Sequence, residues 1–248
     1  MIPKVIHYCW FGRNPLPALA RRCINSWKKY LPDYEIKEWN EDNFDVKKIP
    51  YTKEAYEAKK YAFVSDYARF WILYHYGGVY FDTDVEIIKE FTSIVKSGNF
   101  MGKEIGNPII LNDGTPIVNV NPGLGMGAEK GDPFLKEALA IYQEKAFLLP
   151  DGSLNTKTIV STTTEMLIAK GYCSNGGVEI VDGWKLYPED YFCPKNYYTG
   201  ELCITENSYS IHHYDASWKS KSDKRKKCLV RILPNWLTRF IIKIKHII

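Results

Sequence analysis

The six cysteines, at positions 9, 23, 173, 193, 203 and 228, form no Cys-x-x-Cys pair. Neither a zinc ribbon nor a disulfide-built scaffold is therefore expected. No run of ~18 apolar residues occurs, the length a membrane-spanning helix requires. The opening MIPKVIHYCW has no charged segment leading into a long apolar one, so no secretory signal is expected. A nucleotide-binding P-loop ending in Gly-Lys-Ser/Thr is missing, as is the glycine spacing of a dinucleotide site. The simplest expectation is a reduced, cytoplasmic protein.

What is present is a chain of 248 residues with 45% hydrophobic and 15% aromatic content. That is ample for one sizeable core and excludes a disordered chain. The net charge of +4 is unevenly placed. Residues 219–248 hold ten of the 33 basic residues and one of the 29 acidic ones, so the body, 1–218, is mildly acidic and the tail basic.

The stretch from Tyr61 to Glu86, YAFVSDYARFWILYHYGGVYFDTDVE, carries the most information. Ala62 to Tyr76 has a helical apolar period with no internal Gly or Pro. Gly77-Gly78 stops it, and Val79-Tyr80-Phe81 suits a buried strand. That strand delivers Asp82 and Asp84 at its carboxyl end, where open α/β sheets place ligands. Two carboxylates separated by one residue repel each other, and a divalent cation such as Mg²⁺ or Mn²⁺ relieves the repulsion. A solvated acidic turn is the plain alternative, disfavoured by the apolar residues on both sides. Asp66 and Arg69, three apart, share a helix face; from spacing alone they form a local surface ion pair worth roughly 0.2–0.5 kcal/mol.

Asp66, Arg69, the Gly-Gly pair and Asp82-Thr83-Asp84 together resemble the core of the DXD-containing sugar transferases. The resemblance is to the Och1-like family 32 glycosyltransferases and, more distantly, to the catalytic domains of the clostridial glucosylating toxins. It implies a GT-A-type single domain over 1–218, with a Rossmann-like nucleotide-binding half and a DXD motif after a central strand; the charge and apolar spacing of 219–248 add a C-terminal basic amphipathic tail. It also implies Mn²⁺ or Mg²⁺ and a nucleoside diphosphate sugar, UDP-linked, as donor.

In chain order, Lys4–Trp10 reads as the first strand, a helical period follows through Ala20, Cys23, Ile24, Trp27 and Leu31, and 34–39 reads as a second strand. Two β-α steps argue for the Rossmann-like start. Trp10 is either core or, as the resemblance implies, a platform stacked on the nucleotide base, an interaction worth ~1–3 kcal/mol. His7 reads as structural. A helix is expected from Thr52 as N-cap. Residues 100–133, rich in Gly and Pro, read as a loop-rich region, with Asn119 or Asn121 as a donor contact by analogy. Asp132-Pro133 starts another helix, as does the segment from Thr158. The family's Thr-Gly-Pro-like turn is missing there. Residues 183–194 resemble the family's late strand and acceptor-side segment.

His212-His213-Tyr214-Asp215-Ala216-Ser217-Trp218 matches the closing loop of the relatives. By that match His213 completes the metal site, with Asp215 as the alternative, while Ser217 and Trp218 hold the β-phosphate and cover the sugar. In the tail, apolar residues recur at three- and four-residue intervals beside Lys224-Arg225-Lys226-Lys227, as in a helix lying on an anionic membrane surface, the alternative being a helix packed against its own domain or a partner. Nucleic acid is not expected as a partner, since apolar residues outnumber basic ones there.

The expected function is a retaining, metal-dependent transfer of a hexose or N-acetylhexosamine to a lipid-linked surface polysaccharide, such as capsule or O-antigen. It would take place at the inner face of the cytoplasmic membrane, with Asp66, Arg69, Asp82 and Asp84 as the catalytic set. The alternatives are an effector that glycosylates a host protein and a non-catalytic nucleotide-sugar binder.

Overall fold

The computed structural model describes residues 1–197 and 199–215. Ser217, Trp218 and the basic tail lie outside the described residues.

The chain begins with strand β1 (Val5–Cys9), helix α1 (Ala18–Tyr30) and strand β2 (Glu35–Trp39). Helix α2 (Pro50–Glu57) begins two residues before Thr52. Pro50 takes the first helical position, where its missing N–H costs nothing, and Thr52 turns its hydroxyl back to Ile49 O. Helix α3 (Tyr61–Tyr76) and strand β3 (Gly78–Tyr80) fall where the apolar period and the Gly-Gly pair put them. Gly77, at φ +65°, makes the left-handed step that ends α3.

Strand β4 (Val85–Ile87) and helix α4 (Thr92–Lys96) come next, then strands β5 (Phe100–Ile110), β6 (Pro116–Asn121) and β7 (Met126–Ala128). These three strands correct the expectation of a loop-rich region over 100–133. Several glycines there serve close packing rather than turns. A Cβ on Gly127 would lie 2.1 Å from the Phe100 ring, and one on Gly102 would lie 2.5 Å from Phe192. The fold closes with helices α5 (Pro133–Gln143) and α6 (Ile159–Ala169), strands β8 (Glu179–Val181) and β9 (Trp184–Tyr187), helix α7 (Glu189–Phe192) and strand β10 (Ser210–His212). Asp132 and Thr158 cap α5 and α6 through their side-chain oxygens.

The main sheet has the order β2-β1-β3-β7-β5-β9-β8, with β6 paired to β5. Strands β2, β1 and β3 run parallel, β7 is antiparallel to β3 and to β5, and β5 is therefore parallel to β3. Helices cover both faces, which accounts for two hydrophobic clusters. One cluster holds Phe70, Leu73, Leu135 and Leu167 from α3, α5 and α6; the other holds Cys23, Ile24 and Trp27 from α1 with Phe91, Phe100 and Phe192. A separate two-stranded sheet pairs β10 with β4 just beyond Asp82–Asp84. No helix among the described residues is long and apolar enough to cross a membrane.

Candidate active site

A cleft of about 780 Å³ opens at the carboxyl ends of β1, β3 and the parallel part of β5. Register explains which residues meet there. His7 lies level with Tyr80, so Trp10, three residues on, reaches the level of Thr83. Val79 and Phe100 both face Gly127, so Glu104, four residues beyond Phe100, reaches that level too. Trp10, Asp82, Asp84 and Glu104 all line the cleft.

After β3 the chain turns, with Val85 N–H donating to Asp82 O at 3.0 Å. Asp82 N–H donates to Gly123 O, and a Cβ on Gly123 would lie 2.0 Å from Asp82 Oδ2. Glycine is thus required at 123 for the carboxylate to sit where it does. Asp84 accepts a hydrogen bond from Asp215 N–H (2.8 Å) and faces His212 Nε2 at 3.2 Å. Burial by itself would raise Asp84, but His212 and the Asp215 N–H outweigh it and lower its pKa to about 2.

Ligand atoms of Asp82, Asp84 and His212 lie within 4.8 Å of one another. The sequence pointed to His213 as the third ligand; the structure brings His212 instead. The reason is strand alternation. Ile211 pairs with Glu86, so His213 shares the face of Glu86, and its Nε2 lies 2.7 Å from Glu86 Oε2 and 3.2 Å from Arg22 Nη2. The Asp215 amide, not its carboxylate, meets Asp84. Two carboxylates and an imidazole converging at this spacing fit a divalent cation that keeps further positions for phosphate or water.

Asp66 and Arg69 form no surface pair: both are buried, at 7% and 4% exposure. Arg69 Nη2 donates to Asp66 Oδ1 (3.2 Å), Nε donates to Ser65 O, and the guanidinium lies over the Tyr80 ring. Nη1 is 3.2 Å from Asp82 Oδ1, near enough for an ion pair but without hydrogen-bond alignment, and it finds no hydrogen-bond partner among the described residues. The other oxygen of Asp66 accepts from Ile159 N–H at the start of α6. Burial pushes Asp66 up to about 6, against the pull of Arg69.

Trp10 is half-buried, its indole N–H donating to Asn14 O at 2.6 Å. His7 is structural: Nε2 contacts Gly77 O at 2.9 Å and Nδ1 accepts from Trp39 Nε1 at 3.0 Å. Burial lowers its pKa to about 4.

Asn119 and Asn121 both line the cleft. Asn121 Oδ1 accepts from Gly123 N–H, and its Nδ2 donates to Glu104 Oε2 at 2.7 Å. Glu104 and His212 are the site residues sequence reasoning missed. No local signal pointed to His212, because Asp84 lies in the turn at 83–84 and strict alternation would put it on the face of Glu86 and His213; for Glu104 the signal was the strand hidden in a glycine-rich stretch.

Residues 17–101 match the family described as "Glycosyltransferase sugar-binding region containing DXD motif", a span that holds Asp66, Arg69, Asp82 and Asp84. Inositol phosphoceramide mannosyltransferase 1 of Schizosaccharomyces pombe (strain 972 / ATCC 24843) is 29% identical over 111 residues, covering 40% of this chain and 33% of the relative. Inositol phosphoceramide mannosyltransferase 3 of the same organism is 29% identical over 127 residues, covering 44% and 35%. The chain thus spans about a third of the length of these curated relatives. Among solved structures, PaToxG Glycosyltransferase aligns at 19% identity over 68% of this chain and 70% of its own, with a TM-score of 0.47. A glycosyltransferase involved in the glycosylation of the major capsid of PBCV-1 aligns at 11% identity over 93% and 100%, with a TM-score of 0.49.

Proposed function

We propose that this chain is a metal-dependent GT-A-type glycosyltransferase, moving a sugar from a nucleoside diphosphate sugar to an acceptor hydroxyl. The observation that carries the reading is the convergence of Asp82, Asp84 and His212 beside the buried Asp66–Arg69 pair in one cleft, the first two and the pair lying in the span 17–101 that matches a DXD sugar-binding family.

Asp82, Asp84 and His212 would hold Mn²⁺ or Mg²⁺. When bound, the cation supplies positive charge that stabilises the diphosphate leaving group. Arg69, held from one side by Asp66 and from beneath by Tyr80, would bring its positive charge to the cleft wall beside the donor, with Nη1 one hydrogen bond short. Because the guanidinium is fixed before the donor arrives, little reorganisation is needed at the moment of reaction. Trp10 supplies a planar face at the β1 end of the cleft, suited to a nucleobase. Ser217 and Trp218 would complete the phosphate and sugar contacts.

Transfer proceeds with retention. The bond from the anomeric carbon to the β-phosphate oxygen breaks, the acceptor oxygen bonds on the same face, and the hydroxyl proton passes to the departing phosphate. The acceptor is lipid-linked and the basic tail holds the enzyme at the inner membrane surface, in assembly of a surface polysaccharide. The mannosyltransferases it resembles are named for a lipid acceptor, which supports that part of the reading and puts mannose among the sugars to try beside UDP-linked hexoses.

The test is release of nucleoside diphosphate from UDP- and GDP-sugars with Mn²⁺, Mg²⁺ or EDTA, for wild type and Asp84→Ala, with donor binding followed in the same samples. Turnover of one donor that needs metal and falls about a thousandfold in the variant supports the reading. If no nucleotide sugar binds with metal present, the reading fails.

A further inference from the structure

We propose that Glu104 is a donor-sugar contact, its carboxylate accepting hydrogen bonds from hydroxyls of the sugar being transferred. The inference rests on the glycosyltransferase reading and names a residue that sets its sugar preference.

The carboxylates lining this part of the cleft differ in their partners. Asp66 and Asp82 share Arg69, and Asp84 faces His212. Glu104 makes no ion pair among the described residues; Asn121 Nδ2 holds Oε2 at 2.7 Å. Asn121 is itself held by Gly123 N–H, whose residue packs on Asp82. Glu104 is thereby fixed to the same backbone that shapes the Asp82 turn. An ionised carboxylate has acceptors only, and the amide uses a fraction of its capacity. What it lacks is donors, and the cleft is where they can come from.

Sheet order says which part of a donor would supply them. Trp10 follows β1, Asp82 and Asp84 follow β3, and Glu104 lies on β5, two strands beyond β3. With neighbouring strands about 4.8 Å apart, these levels are spread over roughly 14 Å from β1 to β5. A base at Trp10 and a diphosphate at Asp82–Asp84 leave the sugar for the β5 end. Chemistry agrees with position. A carboxylate repels phosphate, whereas a neutral sugar hydroxyl donates to it readily. Burial also raises Glu104 above its ordinary value, with the charge of Asp82 and against the Asn121 bond and the nearby His212. Lys103, the preceding residue, points to the opposite face of β5 and pairs with Glu179, so Glu104 has no lysine neighbour to neutralise it.

The experiment takes the nucleotide sugar that wild type turns over with Mn²⁺ and compares it with its 2-, 3-, 4- and 6-deoxy analogues, on wild type and Glu104→Gln. Binding of the free nucleoside diphosphate is measured in parallel. A hydrogen bond to a charged group is worth about 1.5–3 kcal/mol, or roughly 10- to 100-fold. Glu104→Gln is expected to lower kcat/KM for the parent donor by that factor. For the deoxy donor lacking the contacted hydroxyl the loss should shrink to less than about threefold, because wild type has already lost the contact. Nucleoside diphosphate affinity should be unchanged. An equal loss on every donor, no loss on any, or weakened nucleoside diphosphate binding overturns the assignment. Should Glu104→Gln not fold, Glu104→Asp, which keeps the charge and withdraws it by one methylene, is read against the same donors and the same outcomes. A wild type that binds no nucleotide sugar sinks the transferase reading itself, and that result is distinct because it precedes any variant.

Discussion

Two buried cations in this chain are treated in opposite ways. Lys103, 1% exposed, donates to Glu179 and to Gly177 O, lies 5.6 Å from the centre of the Tyr172 ring, and shares Glu179 with the backbone N–H of Asn175. Its charge is paired and two of its three N–H donors are bonded inside the protein. Arg69, as deeply buried, is surrounded by Asp66, Asp82 and Tyr80 and lines the cleft, yet its buried Nη1 has no hydrogen bond among the described residues. A closed ion pair fixes structure, whereas a cation left one bond short at a cavity wall is prepared for a ligand. The contrast separates, on geometry alone, what holds β5 and β8 together from what faces the cleft.

The sharpest way to break that contrast is at Glu179. Glu179→Gln leaves Lys103 charged and unpaired, and we expect a loss of about 3–5 kcal/mol in stability by denaturant titration. Turnover per folded molecule should be unchanged. If activity falls while stability holds, the pair is not merely structural.

His7 extends the structural side of the comparison. Its folded pKa, near 4, lies below the unfolded value of 6.5, so the unfolded chain binds the extra proton more readily. Its contribution is fully present above about pH 6.5 and is lost as pH falls toward 4, by up to about 3 kcal/mol. His7→Gln should flatten the stability profile across that window, and an unchanged slope in urea titrations would contradict the assignment.

Arg69→Lys probes the other side. A lysine keeps the charge but loses the planar fork that reaches Asp66 and the donor together. Turnover should fall about 100-fold, equivalent to about 2.7 kcal/mol, with a smaller change in melting temperature. The smallest expected difference lies between neighbours. His212→Ala should raise the Mn²⁺ concentration for half-maximal activity at least tenfold, or about 1.4 kcal/mol, whereas His213→Ala should shift it less than twofold. The reverse ranking in a metal titration would restore His213 as the ligand.

Much of this was legible in the sequence where the information is local. The apolar period of α3, its arrest at Gly77-Gly78 and the helix starts at Asp132-Pro133 and Thr158 depend on neighbours a few residues away, and they appear where the sequence places them. The pairing of Asp66 with Arg69 follows from helical spacing. Its burial, and the reach of Arg69 to Asp82, do not. They require β3 to run back against α3, a long-range arrangement no helical period encodes.

The stretch 100–133 shows the limit most clearly. Glycine is ambiguous in a sequence because it serves turns and close approaches alike. Only the packing of Gly102 against Phe192 and Gly127 against Phe100 reveals that this region is mostly strand. The choice between His212 and His213 is of the same kind. Two adjacent histidines on a strand point to opposite sides: the pairing of Ile211 with Glu86 turns His213 toward Glu86, and the turn at 83–84, ahead of β4, brings the Asp84 carboxylate to His212. By itself, then, the sequence determined the elements carried by local periodicity and the acidic pair of the site. The tertiary structure decided which histidine joins Asp82 and Asp84, the setting of Arg69 and the place of Glu104 in the cleft, because each depends on how segments far apart in the chain pack together.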